Sequence, residues 1–105
     1  MRPLEHKKLL TIIAPREFQR LIVEALKTRE VGGYTIVPAT GAGASGLRSG
    51  LLGADANVLI YVILSERRLE GVLDDLDALM RGGYRLKALV SDIAILPRKP
   101  VEGAS

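Results

Sequence analysis

The stretch TGAGASGLRSG (Thr40 to Gly50) sets Gly41, Gly43, Gly46 and Gly50 among the hydroxyls of Thr40, Ser45 and Ser49 and the guanidinium of Arg48. Glycines let backbone amides approach a ligand closely and take positive φ. Hydroxyl and guanidinium donors beside such amides suit an anion, above all a phosphate. Two standard phosphate motifs are excluded by context. Gly41, Gly43 and Gly46 satisfy G-x-G-x-x-G after a strand-like run. That fingerprint also needs a helix beginning inside the motif and an acidic residue on a second parallel strand. Here GLRSGLLGADA carries further glycines and no helical stripe. No Gly-Lys-Ser/Thr follows, so the phosphate-loop motif is missing too. Two readings remain open: a loop that gathers around an anionic ligand, or a long surface loop without one. Loops beyond about a dozen residues in compact domains are usually functional or disordered.

Other chemistries find little support. The chain has no cysteine, which removes disulfides and thiolate sites and fits a reducing compartment. His6, the single histidine, stands beside Lys7 and Lys8 with no partner at ligand spacing, so no metal site is expected. Asp74, Asp75 and Asp77 read as a solvated helix face. Asp55 and Glu66 are the only conveniently placed acids for a phosphohydrolase, and no catalytic residue is assigned. The net charge of +3 is mild and the cations are not interleaved with aromatics, which disfavours nucleic acid and suits a small phosphorylated ligand. No apolar run reaches the roughly 18 residues of a membrane span, and no signal-peptide core is visible, so a cytoplasmic protein without membrane insertion is expected.

The elements that must position the glycine stretch are readable from periodicity. With 105 residues, 48% hydrophobic and 4% aromatic, the chain suits one domain with an aliphatic core. KKLLTIIA (Lys7 to Ala14) is a buried strand. A helix opens at Pro15, carries Phe18, Leu21, Ile22, Ala25 and Leu26 on one face, and stops at Gly32-Gly33. YTIVPA (Tyr34 to Ala39) is a strand ended by Pro38. ANVLIYVILS (Ala56 to Ser65) is the strongest strand. A second helix places Leu69, Val72, Leu73, Leu76, Leu79 and Met80 on one face before Gly82-Gly83. LKALVSDIAILP (Leu86 to Pro97) is the last strand. The order β-α-β, long loop, β-α-β predicts an α+β, ferredoxin-like βαββαβ sandwich, an antiparallel sheet with both helices on one face. Residues 1–99 form this single domain with a flexible loop over 40–56, and 100–105 form a loose tail. The uncovered sheet face predicts self-association.

This layout, with GGYTIVPATGAG ahead of a long loop and basic residues after the last strand, resembles the PII signalling superfamily over nearly the whole chain. The stretch GYTIV...TGAGASGLRSG...DANV is most similar to its carbon-linked branch, the bicarbonate-transporter partner SbtB and the carboxysome-associated PII proteins. The resemblance implies a homotrimer with adenine-nucleotide sites in the clefts between subunits and a loop that switches a partner. By position it carries over Thr35 near adenine, Gly41 and Gly43 at the loop base, and Lys87 and Arg98 toward phosphates. Ser45, Arg48 and Ser49 match the loop's arginine-serine stretch.

The departures refine what is implied. Ala44 and Ser45 stand where nitrogen-type members have Arg-Gln, and the loop lacks the modified tyrosine, so 2-oxoglutarate sensing is not expected. RGGYRLK, with Tyr84, Arg85 and Leu86 ahead of Lys87, replaces a glycine-rich stretch and favours AMP, ADP or a cyclic nucleotide over ATP. Bicarbonate, and a partner such as a bicarbonate transporter or carboxysome-associated protein, come from the resemblance alone. The alternatives are a nucleotide phosphohydrolase in the same cleft and a ligand-free structural module of the metal-tolerance type.

Overall fold

Aliphatic alternation dictates the core of the computed structural model, which describes residues 2–41 and 56–98. Four strands, β1 (Glu5–Pro15), β2 (Thr35–Thr40), β3 (Ala56–Leu64) and β4 (Lys87–Ile95), form one antiparallel sheet in the order β2-β3-β1-β4. Two helices, α1 (Gln19–Thr28) and α2 (Glu66–Arg81), complete the βαββαβ order. Leu10, Ile12 and Ala14 on β1 and Val58, Ile60, Val62 and Leu64 on β3 point to one face. There they pack with Ile22 and Leu26 of α1 and Leu69, Val72 and Leu76 of α2. The expected α+β ferredoxin-like sandwich is therefore the fold of this chain.

Strand and helix ends depart from the periodicity at identifiable points. Pro15 does not open the first helix as the pattern predicts, because its extended backbone (φ −57°, ψ 143°) keeps it in β1 opposite Asn57. A 3-10 turn over Arg16–Phe18 follows, and α1 begins at Gln19. The same helix stops at Thr28, ahead of the two glycines, because Glu30 (φ 54°) and Gly32 (φ 94°) turn the chain through left-handed conformations. Pro38 lies inside β2 rather than ending it. β2 is an edge strand, where a missing N–H is tolerated. Leu21 and Met80, expected on the buried stripes, are exposed. Thr40 pairs with Ala56, so β2 and β3 take in both ends of the stretch expected as a loop. Residues 42–55 and 99–105, the rest of that loop and the tail, lie outside the described residues.

The two helices are tied on their outer side by charge. Arg29 donates to both Asp75 oxygens, Nε to Oδ2 at 2.7 Å and Nη2 to Oδ1 at 2.9 Å, while Arg68 Nη1 donates to the Arg29 carbonyl at 3.1 Å. Asp75 is thus a partner in a bidentate pair rather than part of a merely solvated face, and Asp77 pairs with Arg81 one turn on. The hydrogen bond from Arg29 holds the Asp75 carboxyl below its ordinary value of 3.8. A carboxyl depressed in the folded state stabilises the fold above its unfolded pKa, and that contribution is lost as pH falls through the folded value. Urea unfolding between about pH 5 and pH 3 is therefore expected to show a decline in the native protein that Asp75→Asn lacks. The difference is small, since solvent screens a half-exposed pair. Identical declines in both proteins would mean that the bridge does not form in solution.

Candidate functional site

The register fixes where the candidate residues stand. Thr35 opens β2 opposite Tyr61, on the sheet face turned away from the helices. Gly41 directly follows the Thr40–Ala56 pair that closes the β2–β3 ladder. Lys87 opens β4 opposite Ile13, at the same end of the sheet. Gly43, Ser45, Arg48, Ser49 and Asp55 lie outside the described residues.

Local chemistry explains how Lys87 is delivered. α2 starts at Ser65, whose hydroxyl accepts from the Arg68 N–H at 3.2 Å, an N-cap that the periodicity alone does not reveal. It ends at Gly82 and Gly83, the latter at φ 100°, with the Tyr84 N–H returning to the Leu79 carbonyl at 3.1 Å. The Tyr84 ring then stands edge-on to Phe18, with centroids 5.1 Å apart. Leu86 tucks against the core, so Lys87 enters the edge strand with its side chain exposed. Among the described residues the ion pairs are Lys7–Glu5, Lys8–Asp92, Arg29–Asp75 and Arg81–Asp77. Lys87 and Arg98 take part in none of them. The Lys8–Asp92 hydrogen bond raises the Lys8 pKa and lowers that of Asp92, which removes the one acid of β4 from site chemistry.

Among the described residues, no heavy atom lies within 4 Å of where a Cβ on Gly41 would project, and its φ is not in the left-handed range. None of the other described residues therefore demands glycine there.

Among the described residues, one chain does not bring Gly41, Lys87 and Arg98 together. β2 and β4 are opposite edges of the sheet, three inter-strand spacings apart, and Gly41 lies four residues beyond Val37, the β2 residue level with Lys87, so the two are about 20 Å apart. Arg98 lies beyond the far end of β4, and nine strand residues put it on the order of 30 Å from Lys87. Lys87 and Arg98, which the resemblance directs toward phosphates in clefts between subunits, therefore do not meet within a single chain. Glu66 is likewise at the opposite end of β3 from Ala56, and so from Gly41. Among the described residues, no three His, Asp or Glu side chains gather as a metal-binding group.

A cleft of about 810 Å³ opens on the helix side, around Arg29, Arg67, Arg68 and Gly71. The Arg29 and Arg68 donors there are engaged with Asp75 and with the Arg29 carbonyl. No helix among the described residues is long and apolar enough to cross a membrane.

Comparison with known proteins follows the same lines. The family model described as nitrogen regulatory protein P-II matches residues 7–96. A PII-like signalling protein from Thermus thermophilus is 31% identical, with a TM-score of 0.73, over 89% of this chain and 92% of its own. CPII from Thiomonas intermedia, bound to ADP and bicarbonate, is 26% identical, with a TM-score of 0.78, over 90% of this chain and 93% of its own. Another structure of that nitrogen regulatory PII-like protein, bound to ADP, AMP and bicarbonate, superimposes with a TM-score of 0.79 at 22% identity, over 92% of this chain and all of its own. Comparison with the curated proteins finds no match. With a matched span running from β1 to the end of β4, the chain belongs to the P-II family.

Proposed function

We propose that this protein is a non-catalytic, PII-like regulator that binds an adenine nucleotide in clefts between the subunits of a homotrimer. AMP, ADP or a cyclic nucleotide is favoured over ATP, with bicarbonate as a second ligand. The observation that carries this reading is the likeness to CPII, whose structure holds ADP and bicarbonate. The placement of the cations supports it. Lys87 is exposed and outside the described ion pairs, at the sheet end where Gly41 leaves β2. A cyclic assembly repeats one heterologous contact, which can bring residues that lie apart in one chain into a cleft shared by two. Arg98, far from its own Lys87, is then available to the site of an adjacent subunit.

The open sheet face supports assembly independently. Val37, Ile63 and Leu89 are 38%, 47% and 45% exposed there in the single chain, beside Leu9, Ile13, Leu59 and Tyr61. Apolar surface of that continuity is normally covered. Thr35 shares the face. Gly43, Ser45, Arg48 and Ser49 complete the proposed site from the loop, whose state would be set by the nucleotide and read by a partner. That partner is a bicarbonate transporter or a carboxysome-associated protein of the carbon-linked branch, and the setting is the cytoplasm. A phosphohydrolase draws little support, since Glu66 lies at the other end of the sheet.

Calorimetric titration with AMP, ADP, ATP and cyclic AMP, with and without bicarbonate, tests this reading. Saturable ADP binding is expected. Lys87→Ala is expected to weaken it about tenfold to a hundredfold, the worth of one or two charge-assisted hydrogen bonds to phosphate. Gly41→Ala is expected to leave folding unchanged and to weaken ADP about tenfold, because no described residue lies within 4 Å of the added methyl while a bound phosphate would meet it. Absence of binding at millimolar nucleotide would remove the proposal.

A further inference from the structure

The ladder between β1 and β4 ends at the pair Glu5–Ile95, and Pro97 offers no N–H with which to prolong it. Beyond that pair the chain is held by a different device. Arg2 Nη1 donates to the Pro97 carbonyl at 2.7 Å and to the Arg98 carbonyl at 2.6 Å, joining positions more than ninety residues apart in sequence. Both bonds are short and charge-assisted, and a guanidinium stays protonated and planar at any physiological pH. The contact therefore fixes the main chain of Arg98 itself while leaving that side chain exposed.

The location argues against a role in the core. Arg2, Pro97 and Arg98 all lie outside the sheet, and none belongs to the cluster formed by β1, β3, α1 and α2. What the contact does restrict is the freedom of the two residues that carry a cation of the proposed site. Ordering a free segment on binding draws on the binding energy, and a segment ordered beforehand does not.

We propose that Arg2 is a positioning residue for phosphate recognition, holding the segment after β4 so that Arg98 is presented ready for a nucleotide phosphate. The inference rests on the nucleotide reading above and adds a residue that acts only through Arg98.

The test is a calorimetric cycle on the full chain with ADP and with adenosine as probes, comparing the native protein, Arg2→Ala, Arg2→Lys, Arg98→Ala and the double variant Arg2→Ala/Arg98→Ala. Arg98→Ala is expected to weaken ADP by tenfold or more. Arg2→Ala is expected to weaken ADP about fivefold to thirtyfold, corresponding to the freedom regained by one residue or so. Arg2→Lys is expected to recover only part of that loss, since a point charge does not bridge two carbonyls in the same way. Adenosine affinity and the thermal midpoint should be the same in all forms, which a general structural defect would not allow. The double variant should match Arg98→Ala alone, because the two residues act in series. If Arg98→Ala weakens ADP but Arg2→Ala does not, or if their effects add, the positioning role is overturned and the nucleotide site stands. If the native protein ignores ADP, or Arg98→Ala binds it unchanged, the site assignment itself fails and the positioning role with it.

Discussion

Ile60→Ala is expected to remove about 3 to 4 kcal/mol of folding stability, a large part of what a domain of this size possesses. Ile60 is fully buried in the central strand β3 and faces Ile12 across the β1–β3 ladder, with Ile36 of β2 on its other side. Truncation deletes three carbons at the junction of sheet and helices. The flanking residues are held in register by hydrogen bonds on both sides, so the space cannot collapse readily and the cavity term adds to the lost transfer energy. A urea titration should show a much lower midpoint with the same slope. A loss below about 1 kcal/mol would mean that the helices do not close over the sheet as described.

Ile63→Glu is expected to abolish assembly while sparing the fold of the single chain. Ile63 lies one residue from the buried Val62, yet it is directed to the opposite face, 47% exposed, beside Leu9 of β1. A carboxylate there keeps its water in a monomer. In a dry interface it costs on the order of several kcal/mol, and symmetry repeats that penalty in every subunit. Sedimentation should give a trimer for the native protein and a monomer for the variant, with equal helix and strand content by circular dichroism. Nucleotide affinity should fall with assembly, because the proposed site spans two chains. A variant of native mass would show that this face is not the interface.

The fold was legible because the strong elements carry unambiguous patterns. The run from Val58 to Leu64 has no competing reading, and the stripe Leu69, Val72, Leu76 is almost pure helix. What escaped was decided by backbone geometry or by distant partners. Pro15 is compatible with a first helical turn and with a strand end, and the pairing with Asn57 chose between them. Asp75 looks like its neighbours Asp74 and Asp77 until Arg29 is brought against it from 46 residues away. The candidate site was legible as a set of residue types and illegible as a place. Gly41, Lys87 and Arg98 each suit a phosphate, but a four-stranded sheet puts two on opposite edges and the third at the far end of a nine-residue strand. The proposed site, built from residues this far apart in one sheet, needs a second chain. The Arg2 contact lies almost a full chain length from its acceptors, where no local pattern can signal it.

A mixing experiment tests the shared site most directly. Lys87→Ala and Arg98→Ala chains, each weak in ADP binding alone, are unfolded together in equal amounts, refolded, and titrated with ADP. If the site draws Lys87 from one subunit and Arg98 from its neighbour, about a quarter of the clefts in randomly assembled trimers hold both cations and should bind ADP with native affinity. Should the mixture bind no better than either variant alone, the two cations do not meet across a subunit interface, and the account of this protein as an assembly-dependent nucleotide sensor is contradicted.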